Sequence, residues 1–187
     1  IRDSSKGTDF SEMFTNATDF NQDIGSWEVS SGEDFHSMFS LATNFNQDIG
    51  DWDVSKGNNF AYMFYEADSF DQDIGSWDVS NGTDFSNMFN GAEEFNQDIG
   101  SWDVSKGTYF FGMFSGATSF NQDISSWDVS SGINFLEMFY EADSLNQDLR
   151  NWTVNEDALL TDMFKGADLM QSCLLYTSDA ADEFMGV

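Results

Sequence analysis

The chain contains no proline, one cysteine, one histidine and only six lysines and arginines. Each shortage removes a class of protein. One cysteine cannot close an internal disulfide, and with a single histidine it cannot complete the usual four-ligand zinc site. Six cations against 34 carboxylates leave a formal charge of −28 on 187 residues. A field of that sign repels phosphate, so nucleic acid and anionic membrane surfaces are poor partners. No apolar run exceeds a handful of residues, which leaves no bilayer-spanning or membrane-inserting segment. Nor is the chain an acidic disordered coil, because 17% of it is aromatic, mostly phenylalanine.

Those aromatics are periodic. Phe10, Phe35, Phe60, Phe85, Phe110 and Phe135 are each 25 residues apart, and Leu160 continues the series. All six tryptophans, from Trp27 to Trp152, hold one phase of this repeat, and seven of the nine methionines, from Met13 to Met163, hold another. A constant period without insertions means one supersecondary unit repeated, which is a solenoid. A single copy cannot bury enough apolar surface to offset the ordering of its own backbone, so the copies must stack.

Within a copy, Phe85, Met88, Phe89 and Ala92 stand at i, i+3, i+4 and i+7, which predicts one stripe of a short helix. Asp84 precedes the stripe at a capping position, as do Asp9, Asp34, Asn59 and Asn134 in other copies, while Tyr109 breaks that pattern. Phe95-Asn-Gln-Asp reads as a turn, and Ile99-Gly-Ser-Trp102-Asp-Val104 matches L-x-x-L-x-L, a leucine-rich-repeat strand. Gly107 stands where that pattern has Asn or Cys, and backbone freedom is the expected reason. The expected fold is an α/β repeat solenoid, right-handed and leucine-rich-repeat-like, with one short parallel strand and one short helix per 25-residue unit. A parallel β-helix is the alternative, disfavoured because Phe85 to Ala92 has helical rather than alternating spacing.

The unit M-F-x-x-A-x-x-F-N-Q-D-I-x-x-W-D-V-S resembles the BspA-type leucine-rich-repeat surface proteins, a group that includes the mycoplasma-type repeat domain of unknown function. The resemblance spans residues 4 to about 171 in six full copies. The chain reads G-T-D-F, as at Gly82 to Phe85, where the family commonly has V-T-x-M. The resemblance implies an extracellular or cell-surface protein suited to adhesion, with an undefined protein or glycan partner and no catalytic residues.

Two segments depart from the period. Ile1-Arg2-Asp3 occupies the place of Ser-Trp-Asp, so the chain is expected to begin inside a repeat, as a fragment. The solenoid is expected over residues 1–171 and a non-repeat tail over 172–187. Within that tail, Cys173 to Glu183 has no counterpart in any copy and resembles the translation of a transposase-based sequencing adaptor. The source is then a metagenomic or transcriptomic read, and the lone cysteine is foreign to the protein.

The candidate site is a column of acids: Glu28, Asp53, Asp78, Asp103 and Asp128, ending at Thr153. On a leucine-rich-repeat strand this position points outward on the concave face, with neighbours about 4.8 Å apart. Each pair repels by about 1 kcal/mol in water, which a stacked core can bear without a metal. Ser26, Asp51, Ser76, Ser101 and Ser126 flank the column and add oxygens. The expected role is a solvated, acidic binding face. Low-affinity calcium or mineral binding at the same column is the alternative, because calcium takes six to eight oxygens. A purely structural stalk is the third reading. A second column, Asp23 to Asp148, with Asn21, Asn46, Asn96, Asn121 and Asn146 two residues earlier, is expected to satisfy turn backbone. The tryptophans and methionines are expected in the core, and His36 on the outside. No enzyme is expected, since unlike groups with separated pKa values do not converge in a uniform ladder.

Overall fold

Phe85, Met88, Phe89 and Ala92 are all fully buried, as their spacing requires, but no helix carries them. In the computed structural model, which describes residues 7–170, the stripe is folded as consecutive β-turns. The Met88 N–H donates to the Phe85 carbonyl at 3.2 Å and the Ala92 N–H to the Phe89 carbonyl at 3.1 Å. The third residue of each turn, Asn87 or Gly91, lies in the left-handed region with φ of 53° or 72°. A bond from residue i to i+3 with positive φ at the third position is the type II pattern. The first and fourth residues of such a turn face inward and the middle two face out. Two turns in series therefore reproduce the i, i+3, i+4, i+7 stripe of a helix.

Turns are preferred because they leave backbone groups for the next copy. The N–H groups of Phe85, Asn87, Phe89 and Gly91 donate to the carbonyls of Tyr109, Phe111, Met113 and Ser115 at 2.7–2.9 Å. An α-helix over the stripe would close the Phe89 and Gly91 N–H groups on its own carbonyls, at Phe85 and Asn87. Every left-handed residue among the described ones falls at these two turn positions. They run Glu12, Ser37, Tyr62, Asn87, Gly112, Glu137, Asp162 and Asn16, Leu41, Glu66, Gly91, Gly116, Glu141, Gly166. Ten are not glycine, so the ladder is bought with local backbone strain.

The expected strand is also a pair of turns. The Trp102 N–H closes on the Ile99 carbonyl at 3.1 Å, and the Gly107 N–H on the Val104 carbonyl at 2.7 Å. Parallel pairing is confined to a single column of isolated bridges, Asp9, Asp34, Asn59, Asp84, Tyr109, Asn134 and Leu159, each to the next. The helix-and-strand architecture is therefore corrected to a stack of turn-built coils, and with it the leucine-rich-repeat-like assignment. The parallel β-helix alternative falls as well, since the described residues form no sheet. The tail reading at Cys173–Glu183 lies outside the described residues, as does Ile1–Asp3.

Seven coils are counted here from Phe10, Phe35, Phe60, Phe85, Phe110, Phe135 and Leu160. Their cores align in register. Phe60, Phe85 and Phe110 stack at 5.6–5.7 Å between centroids, and Phe64, Phe89 and Phe114 form a second column at 5.6–5.7 Å. Phe89 also stacks on Phe95 of its own coil at 4.0 Å. Five of the six indole N–H groups reach across the interface: that of Trp102 donates to the Ile74 carbonyl at 3.1 Å, and Trp52, Trp77, Trp127 and Trp152 repeat the bond. A buried tryptophan is thereby satisfied and locks two coils together. Gly107 is glycine for space rather than freedom. A Cβ there would stand 2.3 Å from Cζ of Phe110, whose ring covers the position. The G-T-D-F variation is thus a compensated exchange of one side chain for a larger neighbour.

Candidate functional site

Two acidic regions lie on the surface of the stack. The first is the column expected from the sequence, and Glu28, Asp53, Asp78, Asp103 and Asp128 are all exposed. They sit at turn corners rather than on a strand, so the concave strand face is corrected too. Oδ1 of Asp53, Asp78, Asp103 and Asp128 accepts the amide N–H of Ser55, Ser80, Ser105 and Ser130 at 3.0–3.1 Å. Each carboxylate thus props the Val-Ser-x-Gly turn that follows it. Hydrogen bonds from serine hold Asp53, Asp103 and Asp128 below the usual carboxylate range. The flanking Ser76, Ser101 and Ser126 turn their hydroxyls to the carbonyls of Gly50, Gly75 and Gly100 in the preceding coil, at 3.0–3.1 Å. Ser26 and Asp51 hold the same exposed phase.

The second expected column does satisfy backbone groups, but its Asn members do so across coils and only its Asp members do so locally. Asn21, Asn46, Asn96 and Asn121 each accept the backbone N–H 25 residues on, at 2.8–3.1 Å, and a Gln amide from the same neighbour. Asp71 replaces Asn without loss because only an acceptor oxygen is used. Asp73 and Asp98 accept the N–H of Gly75 and Gly100. Asp148 holds Arg150 through an ion pair, which keeps its carboxyl down at about 2.

The second acidic region was not read from the sequence. A groove of about 510 Å³ crosses coils three to six, lined by Glu66, Asp68, Gly91, Glu93, Gly116, Thr118, Glu141 and Asp143. Glu66, Gly91, Gly116 and Glu141 share one turn position, so two glycines between two glutamates cut the notch. That alternation was the available signal. Partial burial, together with the charges of Glu93 and Glu66, pushes the Asp68 carboxyl above its ordinary range. Hydrogen bonding to Glu66 raises the Tyr65 phenol and hydrogen bonding to Glu141 raises that of Tyr140, Glu66 and Glu141 being the groove residues contributed by coils three and six. His36 is half-buried, with its ring edge-on to Tyr62 at 5.7 Å.

Among the described residues no group of three or more His, Cys, Asp or Glu stands close enough to hold a metal ion. Nor is any helix among them long and apolar enough to cross a membrane.

A stack of near-identical 25-residue coils with an acidic surface defines a tandem-repeat protein. The model of the family described as Mycoplasma protein of unknown function, DUF285, matches residues 2–94 and again 72–175, and the chain belongs to that family. No curated protein matches the sequence.

Proposed function

We propose that the chain is a non-catalytic binding module of the surface or adhesion type, acting outside the cell and engaging a positively charged partner. The observation that carries this reading is the groove. Its five carboxylates, Glu66, Asp68, Glu93, Glu141 and Asp143, face one concavity, and partial burial first, then the charges of Glu93 and Glu66, push the Asp68 carboxyl above the ordinary aspartate range. An incoming cation relieves the repulsion between those charges, so the groove favours basic groups. The Asp53–Asp128 column offers less, since each carboxylate already holds a turn amide. A surface role of the kind implied by the BspA-type proteins is consistent with this charge. Adhesion demands no convergence of unlike catalytic groups, and the polar side chains repeat from coil to coil.

The test is a fluorescence-anisotropy titration with labelled hexalysine, comparing two sets of variants of equal charge. Glu66→Gln, Glu93→Gln and Glu141→Gln together should weaken binding more than Asp53→Asn, Asp78→Asn and Asp103→Asn together. Equal losses would mean diffuse attraction to a polyanion, and the groove would lose its claim.

A further inference from the structure

The repeat provides an internal comparison that identifies what one end of this groove is built to hold. In coil six, Tyr140 is followed by Glu141, and Lys165 of coil seven places Nζ 5.7 Å from the Tyr140 ring centroid. An ammonium within about 6 Å of a ring face is in the range of cation–π attraction. Coil three repeats the pair as Tyr65 and Glu66. The residue one coil beyond Tyr65, in the place of Lys165, is Asn90, whose side-chain amide donates to Asn87 Oδ1 at 2.7 Å. The same aromatic-acid pair thus receives an intramolecular ammonium in one coil and has a neutral, internally bonded neighbour in the other.

Coil three adds to the pair. The Tyr62 ring lies 5.6 Å from that of Tyr65, and His36 packs edge-on against Tyr62 at 5.7 Å. Tyr62 is the one aromatic residue among the described left-handed positions, with φ of 59°, where other coils use Glu, Ser, Asn, Gly or Asp. A bulky ring there is strained, and strain of this kind is retained where the surroundings give it a use. Glu66, which follows Tyr65 in the chain, lines the groove together with Asp68 and Glu93.

We infer that Tyr62, Tyr65 and Glu66 form a seat for a lysine or arginine side chain of a basic peptide segment, at the coil-three end of the acidic groove. This rests on the proposed function and names the chemistry of the partner. Charge draws the segment to the groove, and the tyrosine ring selects an ordered cation from among mobile ones.

The experiment uses the full chain and hexalysine at fixed ionic strength. Tyr65→Leu keeps the net charge and removes the ring, and should weaken binding about three- to thirtyfold. Tyr65→Phe keeps the ring and should bind within twofold of the parent. Asn90→Lys reproduces the coil-seven lysine over Tyr65 and should compete with the peptide more strongly than Ser115→Lys, which adds the same charge at the same phase over Asn90. Thermal melting of each variant separates lost binding from lost folding. If the parent binds hexalysine and Tyr65→Leu binds equally well, the seat is wrong while the acidic-groove reading stands. If the parent does not bind hexalysine, both fall.

Discussion

Asp103 and Asp68 are both carried on turns of the same stack, yet their surroundings drive their carboxyls in opposite directions. Asp103 accepts the Ser105 amide and is held below the usual range, whereas Asp68 is partly desolvated, faces Glu93 and Glu66, and is pushed above it. Negative charge alone therefore does not distinguish a binding surface from scaffolding. A carboxylate with a local donor is a structural part. Carboxylates that crowd one another around a concavity hold unspent electrostatic free energy that a cation can release.

Substitutions at five positions, a pH titration and one ion titration would break or sharpen that contrast. The largest effect should come from removing the ground beneath both regions. Trp102→Phe leaves the Ile74 carbonyl without its buried indole donor and should cost about 1–3 kcal/mol, read by thermal or denaturant unfolding. Next, Gly116→Gln should fill the groove without changing its charge. A Cβ there meets nothing nearer than 3.7 Å, so the cost is the left-handed backbone, about 1–2 kcal/mol, and hexalysine binding should fall with it.

Smaller effects test the two regions by sign. Asp103→Ala removes a turn acceptor and should destabilise by at most about 1 kcal/mol, since water competes at an exposed site, while Asp103→Asn keeps the oxygen and should melt with the parent. Glu93→Gln should do the reverse, stabilising by about 0.3 kcal/mol or less and lowering the Asp68 pKa seen by NMR titration. Linkage gives the matching pH dependence. Asp103 has a lowered folded pKa, so its contribution is present above the ordinary aspartate range and disappears as pH falls through the folded value. Asp68 has a raised folded pKa, so acidification through that value adds stability. The smallest effect concerns metal. Calcium and sodium chloride at matched ionic strength should raise Tm equally, and a calcium-specific rise lost in Asp53→Asn would return the column to the role of an ion site.

Much of this molecule was legible from its residues. The 25-residue period placed the Phe, Met and Trp columns inside, and the Asn column was legible as a backbone partner, though not as a bond between coils. The secondary structure was not legible, for a physical reason. A hydrophobic stripe at i, i+3, i+4 and i+7 reports which side chains face inward, and two type II turns give the same answer as a helix. The distinguishing signal lay in the outward residues, where Asn87, Gly91, Gly112, Gly116 and Gly166 mark positions that tolerate positive φ. The local role of Asp84 survived the error, since its Oδ1 accepts the Ser86 amide at the head of a turn instead of a helix. The groove was not legible as a repeat, because Gly91 and Gly116 matter by interrupting a column rather than by recurring in it.

The inter-coil contacts join each residue to its counterparts about 25 positions before and after it, and to little else. Adding or deleting one whole unit therefore leaves each surviving interface intact. Near-identical units are also the substrate on which unequal genetic exchange acts in frame, so variants of different length should fold alike. The groove follows a different rule, because it needs Tyr65-Glu66, two glycine coils and Tyr140-Glu141 in that order. Duplication within those coils would lengthen or erase it while leaving the stack unchanged, giving a lineage a way to vary its binding surface without risking its scaffold.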